Sequence, residues 1–447
     1  MNHLNLKKTI SIILFTVLTL TEAFCLDLSD VNTKLSDVFD SLSDNNAGST
    51  IFRSLNIPAG GRTESLGTAV TGLCDDSGFF DYNPAGSSVI ERAEVALFHN
   101  SWIADSAMET LQFSTRFNNF GLGAQLKCFY VPFTEYNLYG DKVNGSYYSE
   151  TSIAINMSYN FLAGYNFKGI ALGYNVRGSL RKMPDYTNDQ TDEIITGSGM
   201  EQSAVALMGD AGMLVRFNFL KHFNSLDPNL AFGLAINNLG VGFTGASGTF
   251  QADDPLPVRI SLGLSYRMLK HLLFTAEFRQ PVNIYNPAKS EMWSAASGIE
   301  INVTNFFDFD AGFVICGANP RFSLGSQFDV KGVKMSVNYT VDLTTSFNPV
   351  NHISLCAKLV LSDHGRGLTT RKTMDKYAEG IEYYSKGKRE DIVNAIRLWE
   401  EARDLSKSMG IRYDPAIEAI KTAQNLLNVH DQINAFGTLD RGNRTSE

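Results

Sequence analysis

The chain has 447 residues, of which 19% are charged, 11% are aromatic and 37 are glycine, with a formal net charge of −9. That acidic balance argues against a nucleic-acid partner, which needs a basic surface, and a hydrophobic content of 44% excludes a wholly disordered chain. A mean hydropathy of −0.10 excludes a many-span helical membrane protein, so the composition fits a β-rich chain that meets lipid on one face.

Lys7 and Lys8 precede the apolar run 10–20, which is shorter than the roughly 20 residues a membrane helix needs. A basic start, a short apolar core, and Thr21 and Ala23 before a cut predict a secretory leader over 1–23. Acylation of Cys25 is the alternative, against which Glu22 and Phe24 stand. No later stretch is apolar for long enough to span as a helix, so the exported chain is either soluble or a membrane β-barrel. The cysteines at 25, 74, 128, 316 and 356 are dispersed, predict no particular pairing and give no metal cluster.

Residues 24–93 form a segment ahead of the strands. Leu28, Val31, Leu35, Val38 and Leu42 have helical spacing. Pro58-Ala59-Gly60-Gly61-Arg62 follows, then Ser65-Leu66-Gly67-Thr68-Ala69-Val70, Asp75-Asp76, and Asn83-Pro84-Ala85-Gly86. The last is turn chemistry, in which Pro presets φ and Gly permits positive φ.

From 94 to 361 the hydropathy alternates with the period of strands. Ile153, Ile155, Met157, Tyr159 and Phe161 alternate with Ala154, Asn156, Ser158 and Asn160, and the pattern recurs along the segment. It predicts strands at 94–102, 108–118, 120–133, 149–162, 169–183, 203–220, 230–240, 256–269, 271–281, 294–304, 306–316, 320–330, 332–343 and 351–361. The even number and the lengths suit a membrane barrel. The intervening gaps alternate long and short, as outer loops and periplasmic turns do. A soluble β-sandwich is the alternative, because its sheets also alternate. The register turns Arg116, Lys127, Arg177, Arg181, Arg216, Arg259, Arg267 and Arg279 inward with Glu277, Glu300, Asp308, Asp310, Asp329 and Asp342. Mutual pairing inside a wet or plugged lumen is one account of these charges. The other is that some of the bases hold an anionic head group, with Arg116, Lys127, Arg177 and Arg259 as candidates.

After 361 the period changes to 3.6. A polar linker over 362–370 leads to a helical tail, 371–447, with stripes at Met374, Tyr377, Ala378, Ile381 and Tyr384 and at Ile392, Ala395, Ile396, Leu398, Trp399 and Ala402. A third helix opens at Asp414-Pro415 and runs to about His430. Gly380, Tyr383, Ala395, Trp399 and Ala402 resemble the tetratricopeptide pattern, at fewer than the usual three repeats. The tail is expected either to dock on the barrel or to bind a periplasmic protein.

The Gly-Arg stretch, Asp75-Asp76 and Asn83-Pro84-Ala85-Gly86, in this order just before the first strand, resemble the FadL/TodX-type outer-membrane transporters. The chain looks most like the treponemal branch of that group, whose function is unassigned. The resemblance implies a 14-stranded transmembrane β-barrel over 94–361. It implies that the segment 24–93 folds back as a hatch, with Asn83, Pro84, Ala85 and Gly86 as the hatch motif. It implies long-chain fatty acids or other hydrophobic compounds as ligands and a sideways exit at a kinked strand. The helical tail is a departure from that pattern.

No HExxH, GxSxG or P-loop is present, and the histidines are scattered. Asp308 and Asp310 face one way on one strand and are read as lumen-lining rather than as an acid–base pair. A dispersed catalytic site in a lumen or loop remains as an alternative. The sequence therefore predicts an exported outer-membrane barrel with both termini periplasmic, no catalytic residue, no metal and no cofactor. It is expected to pass hydrophobic compounds passively; the alternative is a non-transporting scaffold whose tail recruits a protein, with Tyr383, Ala395, Trp399 and Ala402 packing the tail.

Overall fold

A computed structural model describes residues 46, 48–103, 105–223, 225, 227–245, 255–316, 319–330, 332–342 and 350–444. The leader 1–23, Cys25, the spaced apolar residues from Leu28 to Leu42 and most of the Gly-rich 241–255 lie outside the described residues.

Fourteen antiparallel strands close into a barrel. They are β1 (Glu94–Ser101), β2 (Ala107–Phe117), β3 (Phe120–Tyr136), β4 (Lys142–Phe161), β5 (Ile170–Lys182), β6 (Ala204–Phe217) and β7 (Leu230–Thr244). The second half comprises β8 (Arg259–Leu269), β9 (Leu272–Pro281), β10 (Ser294–Thr304), β11 (Phe307–Cys316), β12 (Asn319–Val330), β13 (Val333–Asp342) and β14 (Val350–Val360). Pairing of β1 with β14, from Glu94 opposite Val360 to Ser101 opposite Ile353, shuts the sheet and leaves no edge. Each expected strand is present, and the soluble-sandwich alternative falls.

Alternation decides which face meets lipid. On β4, Ile153 and Ile155 are 58% and 55% exposed, whereas Ser152 and Ala154 are 4% and 1% exposed. The apolar side chains point out and the small and polar ones point in, the reverse of a soluble core. Four of the six turns at one end span two residues, and 162–169 and 218–229 are longer. Asn118 joins β2 to β3 with φ of 54°, a conformation Asn tolerates. Connections at the other end are longer, including 183–203, which carries a two-stranded hairpin pairing Tyr186 with Ile195.

Two departures from expectation have physical causes. The β3–β4 connection, expected over 134–148, is only 137–141, because both strands continue past the barrel rim. There both faces are solvated, so the ladder persists while the apolar–polar alternation fades. The register also shifts between β6 and β7, where Asp210 stands opposite Asn237 and Asn238. This is a bulge: Asn238 has φ of 60° and donates its N–H to Asp210 Oδ1 at 2.6 Å.

The interior is filled by the described part of the N-terminal segment, which we call the plug, residues 49–90. Phe52, Leu66, Phe79, Phe80 and Ile90 are each at most 2% exposed. Inward-facing glycines let its backbone lie against the wall: a methyl group at Gly312 would sit 2.0 Å from Gly67 N, and one at Gly233 would sit 2.0 Å from Thr71 O.

The tail begins earlier than expected. After Gly365, at φ of 76°, α1 spans Arg366–Ser385, α2 spans Arg389–Ser408 and α3 spans Asp414–Arg444. Ile392, Ala395, Trp399, Ala402, Tyr413, Ala416, Ile420 and Ala423 form its core, with Tyr383 packed against it. Trp399 Nε1 donates to Tyr377 O at 3.1 Å. A methyl group at Gly380 would meet Trp399 Nε1 at 2.3 Å, so the indole needs that glycine. Trp399→Ala should cost the tail about 3–5 kcal/mol. Circular dichroism should then show the tail's helical signal melting at a lower temperature than the barrel's β signal, and coincident melting would refute an independent tail core.

Candidate functional site: the plug and the cavity above it

The motif at 83–86 sits deep in the barrel. Asn83 Nδ2 donates to Thr71 O at 2.8 Å and to Met213 O of β6 at 2.9 Å, while its Oδ1 accepts from Ala85 N at 3.1 Å. Pro84 starts a short 3₁₀ turn, Pro84–Ser88, and its carbonyl accepts from Asn156 Nδ2 at 2.8 Å. A methyl group at Gly86 would meet the Phe79 ring at 2.3 Å. The motif thus ties the plug to itself and to β4 and β6.

Three of the four head-group candidates converge on one plug residue, Asp81, two of them on its carboxylate and one on its backbone carbonyl. Asp81 receives Lys127 Nζ at 3.1 Å, Arg177 NH1 at 3.4 Å and Gln125 Nε2 at 3.2 Å. Arg259 donates to the Asp81 carbonyl and stacks its guanidinium 5.4 Å from the Tyr82 ring centroid. Arg177 also reaches Asp210 at 3.3 Å. Burial opposes ionisation of Asp81, but Lys127 and Arg177 outweigh it and hold the carboxyl below its usual range. Arg116 lies apart, near the tight-turn end, with Nε on Asn118 O at 2.5 Å.

A second charged cluster was not singled out by the sequence as a unit. Arg62 of the plug makes a two-point contact with Asp75, NH1 to Oδ1 at 2.5 Å and NH2 to Oδ2 at 3.0 Å. Its Nε reaches Glu300 of β10 at 2.6 Å, and Asp76 joins it at 3.2 Å and Lys358 of β14 at 2.5 Å. Burial works against the Asp76 charge, yet Lys358 and Arg62 draw its carboxyl well below the usual range. Asp308 and Asp310 do not act together: Asp308 accepts from Asn302 at 2.7 Å, and Asp310 accepts from Ser65 Oγ of the plug at 2.8 Å. Among the described residues no group of His, Cys, Asp and Glu is arranged to hold a metal ion.

Between the plug and the wall, at the long-loop end, lies a cavity of about 470 Å³. Trp102, Phe129, Leu256 and Val258 give it apolar surface, and Arg259, Arg279 and Tyr82 line it as well. Of the four candidates, only Arg259 borders it. Arg279 is already paired, its Nε 2.6 Å from Glu277 Oε1. The Arg259 Nε is buried and has no hydrogen-bond partner among the described residues. Its neighbours in the cavity, His352 and Arg321, escaped sequence reasoning. His352 packs its ring tilted against Trp102, with centroids 4.4 Å apart, and bonds Glu64 of the plug at 2.5 Å, and only the fold, not a motif, brings these residues together.

A UPF0164 protein of Treponema pallidum (strain Nichols) is 28% identical over 403 residues, covering 88% of this chain and 87% of its own. A second from the same strain is 24% identical over 406 residues, covering 86% and 78%. Among solved structures, the CymD monoaromatic hydrocarbon channel aligns with a TM-score of 0.45 at 11% identity, over 68% of this chain and 97% of its own. A Pseudomonas aeruginosa FadL homologue aligns with a TM-score of 0.40 at 11% identity, over 68% and 98%. At those scores the structural likeness carries no weight for cargo. The profile of UPF0164, an uncharacterised protein family, matches residues 29–364, three quarters of the sequence, and the chain belongs to that family.

Proposed function

We propose that this protein is an outer-membrane channel that admits hydrophobic compounds, long-chain fatty acids among them, by passive diffusion, with residues 49–90 as its hatch. The observation that carries this reading is the cavity between plug and wall, about 470 Å³ in volume, which sets an apolar patch of Trp102, Phe129, Leu256 and Val258 beside charged side chains that include the buried Arg259 guanidinium. A drug-sized or acyl ligand fits a space of that size. Its chain lies against Trp102, Phe129, Leu256 and Val258, and an acid group points at Arg259. The short turns and both termini face the periplasm. Passage requires the plug to shift about Asn83-Pro84-Ala85-Gly86. The bulge at Asn238 adjoins that motif through Asp210 and Met213 of β6, which makes it the candidate sideways exit.

The test is uptake of a fluorescent fatty acid by cells or proteoliposomes carrying Pro84→Ala with Gly86→Val. Overpacking of about 1–3 kcal/mol against Phe79 destabilises the seated hatch and should speed uptake roughly tenfold while the barrel keeps its heat-modifiable gel mobility. Unchanged uptake by a folded double variant would refute the hatch role. That outcome would favour the second reading, a scaffold, for which one observation speaks: α3 carries Val429 and Ile433 exposed beyond its packed core.

A further inference from the structure

The plug's last turn is followed by Val89, Ile90 and Glu91, which lead into β1. Carbonyls at a helical end lack partners within the helix, and here two guanidiniums take them. Arg116 of β2 donates NH1 to Val89 O at 3.3 Å and to Ile90 O at 3.5 Å. Arg366, the first residue of α1, donates NH2 to Ile90 O at 3.3 Å and to Glu91 O. Arg366 Nε bonds Asp363 O at 3.1 Å, which fixes the side chain across the linker. The joint between plug and wall is therefore gripped from both sides, and one grip belongs to the tail.

The tail is itself docked on two connections at the end of the barrel with the two-residue turns, 118–119 and 162–169. Asn118 and Asn119 donate to Ser408 O at 3.2 Å and Gly410 O at 2.6 Å. Arg412 N donates to Ala163 O and Tyr165 N to Arg412 O, each at 2.9 Å, a strand-like exchange. Tyr165 stands edge-on to Tyr413, with ring centroids 5.2 Å apart, and packs on the tail's apolar cluster. His364 Nε2 lies 2.9 Å from Thr115 Oγ1. These contacts lie on both sides of Arg366 in sequence and hold α1 where its guanidinium reaches the plug.

We propose that Arg366 is a positioning residue for the plug, and that docking of the helical tail on turns 118–119 and 163–165 is the lock that keeps it on the Ile90 and Glu91 carbonyls. Lifting the tail withdraws one of the two cations at the joint and loosens the plug from the periplasmic end. The contact stands on geometry alone; its consequence for passage rests on the channel reading above.

The plug carries its own reporter, the buried Cys74. In full-length protein with Cys25, Cys128, Cys316 and Cys356 replaced by serine, the rate at which Cys74 reacts with a maleimide reads how often the plug opens. Arg366→Ala removes charge-assisted hydrogen bonds and should raise that rate about tenfold. Tyr165→Ala, which touches neither the plug nor Arg366, should raise it comparably by undocking the tail, and Arg366→Lys should fall between. Barrel integrity is followed by heat-modifiable mobility. Labelling at the parental rate in both Arg366→Ala and Tyr165→Ala would overturn the proposal. Faster labelling with no change in fatty-acid uptake would uphold the lock and count against the channel reading instead.

Discussion

Asp81→Ala is expected to unseat the plug and leave the barrel standing. The Asp81 carboxylate is 5% exposed and compensates Lys127 and Arg177, which are 3% and 2% exposed. Removing it leaves Lys127 with one carbonyl, Ile57 O at 2.7 Å, and leaves Arg177 dependent on Asp210. Breaking a buried pair from one side costs about 3–5 kcal/mol, because the other charge stays behind without its partner. That corresponds to a rise of roughly two to nearly four powers of ten in the unseated population. Tryptic cleavage at Arg62, buried when the plug is seated, reads this directly, together with single-channel conductance. Asp81→Asn keeps an acceptor for Lys127 and should have a smaller effect. Cleavage and conductance like the parent's in a folded Asp81→Ala barrel would show that this carboxylate does not hold the plug.

The pH range over which this carboxylate contributes follows from the direction of its shift. Its pKa is lower in the folded protein than in the unfolded chain. A depressed carboxyl contributes fully above the unfolded value of about 3.9, and the contribution is lost only as pH falls through the lower folded value. Acidification to about pH 5 should therefore leave the difference in tryptic protection of Arg62 between the parent and Asp81→Ala unchanged. Asp76 follows the same sign. Buried pairs are also weakly screened, so salt alone should not open the plug.

How much of this was legible in the sequence follows from what each element is packed against. The wall strands were readable because lipid on one side and polar plug on the other force a two-residue period; 294–304 was located to the residue. The rim extension of β3 and β4 was not, since Phe133 to Tyr147 lose the one-sided environment that writes the pattern. The inward charges were legible as a set, because Lys127, Arg177 and Arg259 share a register face. Their pairing was not, since Asp81 lies on a segment with no period and meets strands nearly 50 to 180 residues away in sequence. Arg366 was hidden for a related reason: it stands in a polar, Gly-containing stretch that reads as linker, and its partners are backbone carbonyls, which leave no trace in side-chain type.

Gly233→Ala combined with Gly312→Ala should expel the plug and at the same time firm the wall. A methyl group at Gly312 would lie 2.0 Å from Gly67 N and 2.6 Å from Leu66 C, and one at Gly233 would lie 2.0 Å from Thr71 O and 2.7 Å from Thr71 C. These neighbours are backbone atoms, so no side chain can rotate away. The plug must move, at about 1–3 kcal/mol or more per site. Glycine is itself a poor strand residue, and alanine should return roughly 0.5–1 kcal/mol to each strand. The two effects therefore carry opposite signs, which a general loss of folding cannot imitate. Tryptic cleavage at Arg62 should accelerate while the barrel's melting temperature holds or rises. Gly178→Ala on β5, where a methyl group would meet nothing within 4 Å, is the matched control and should alter neither. If the double variant protects Arg62 as well as the parent does, the plug is not held by backbone contact with the wall. Its seating would then rest on side-chain contacts, the charged pairs at Asp81 and Arg62 among them.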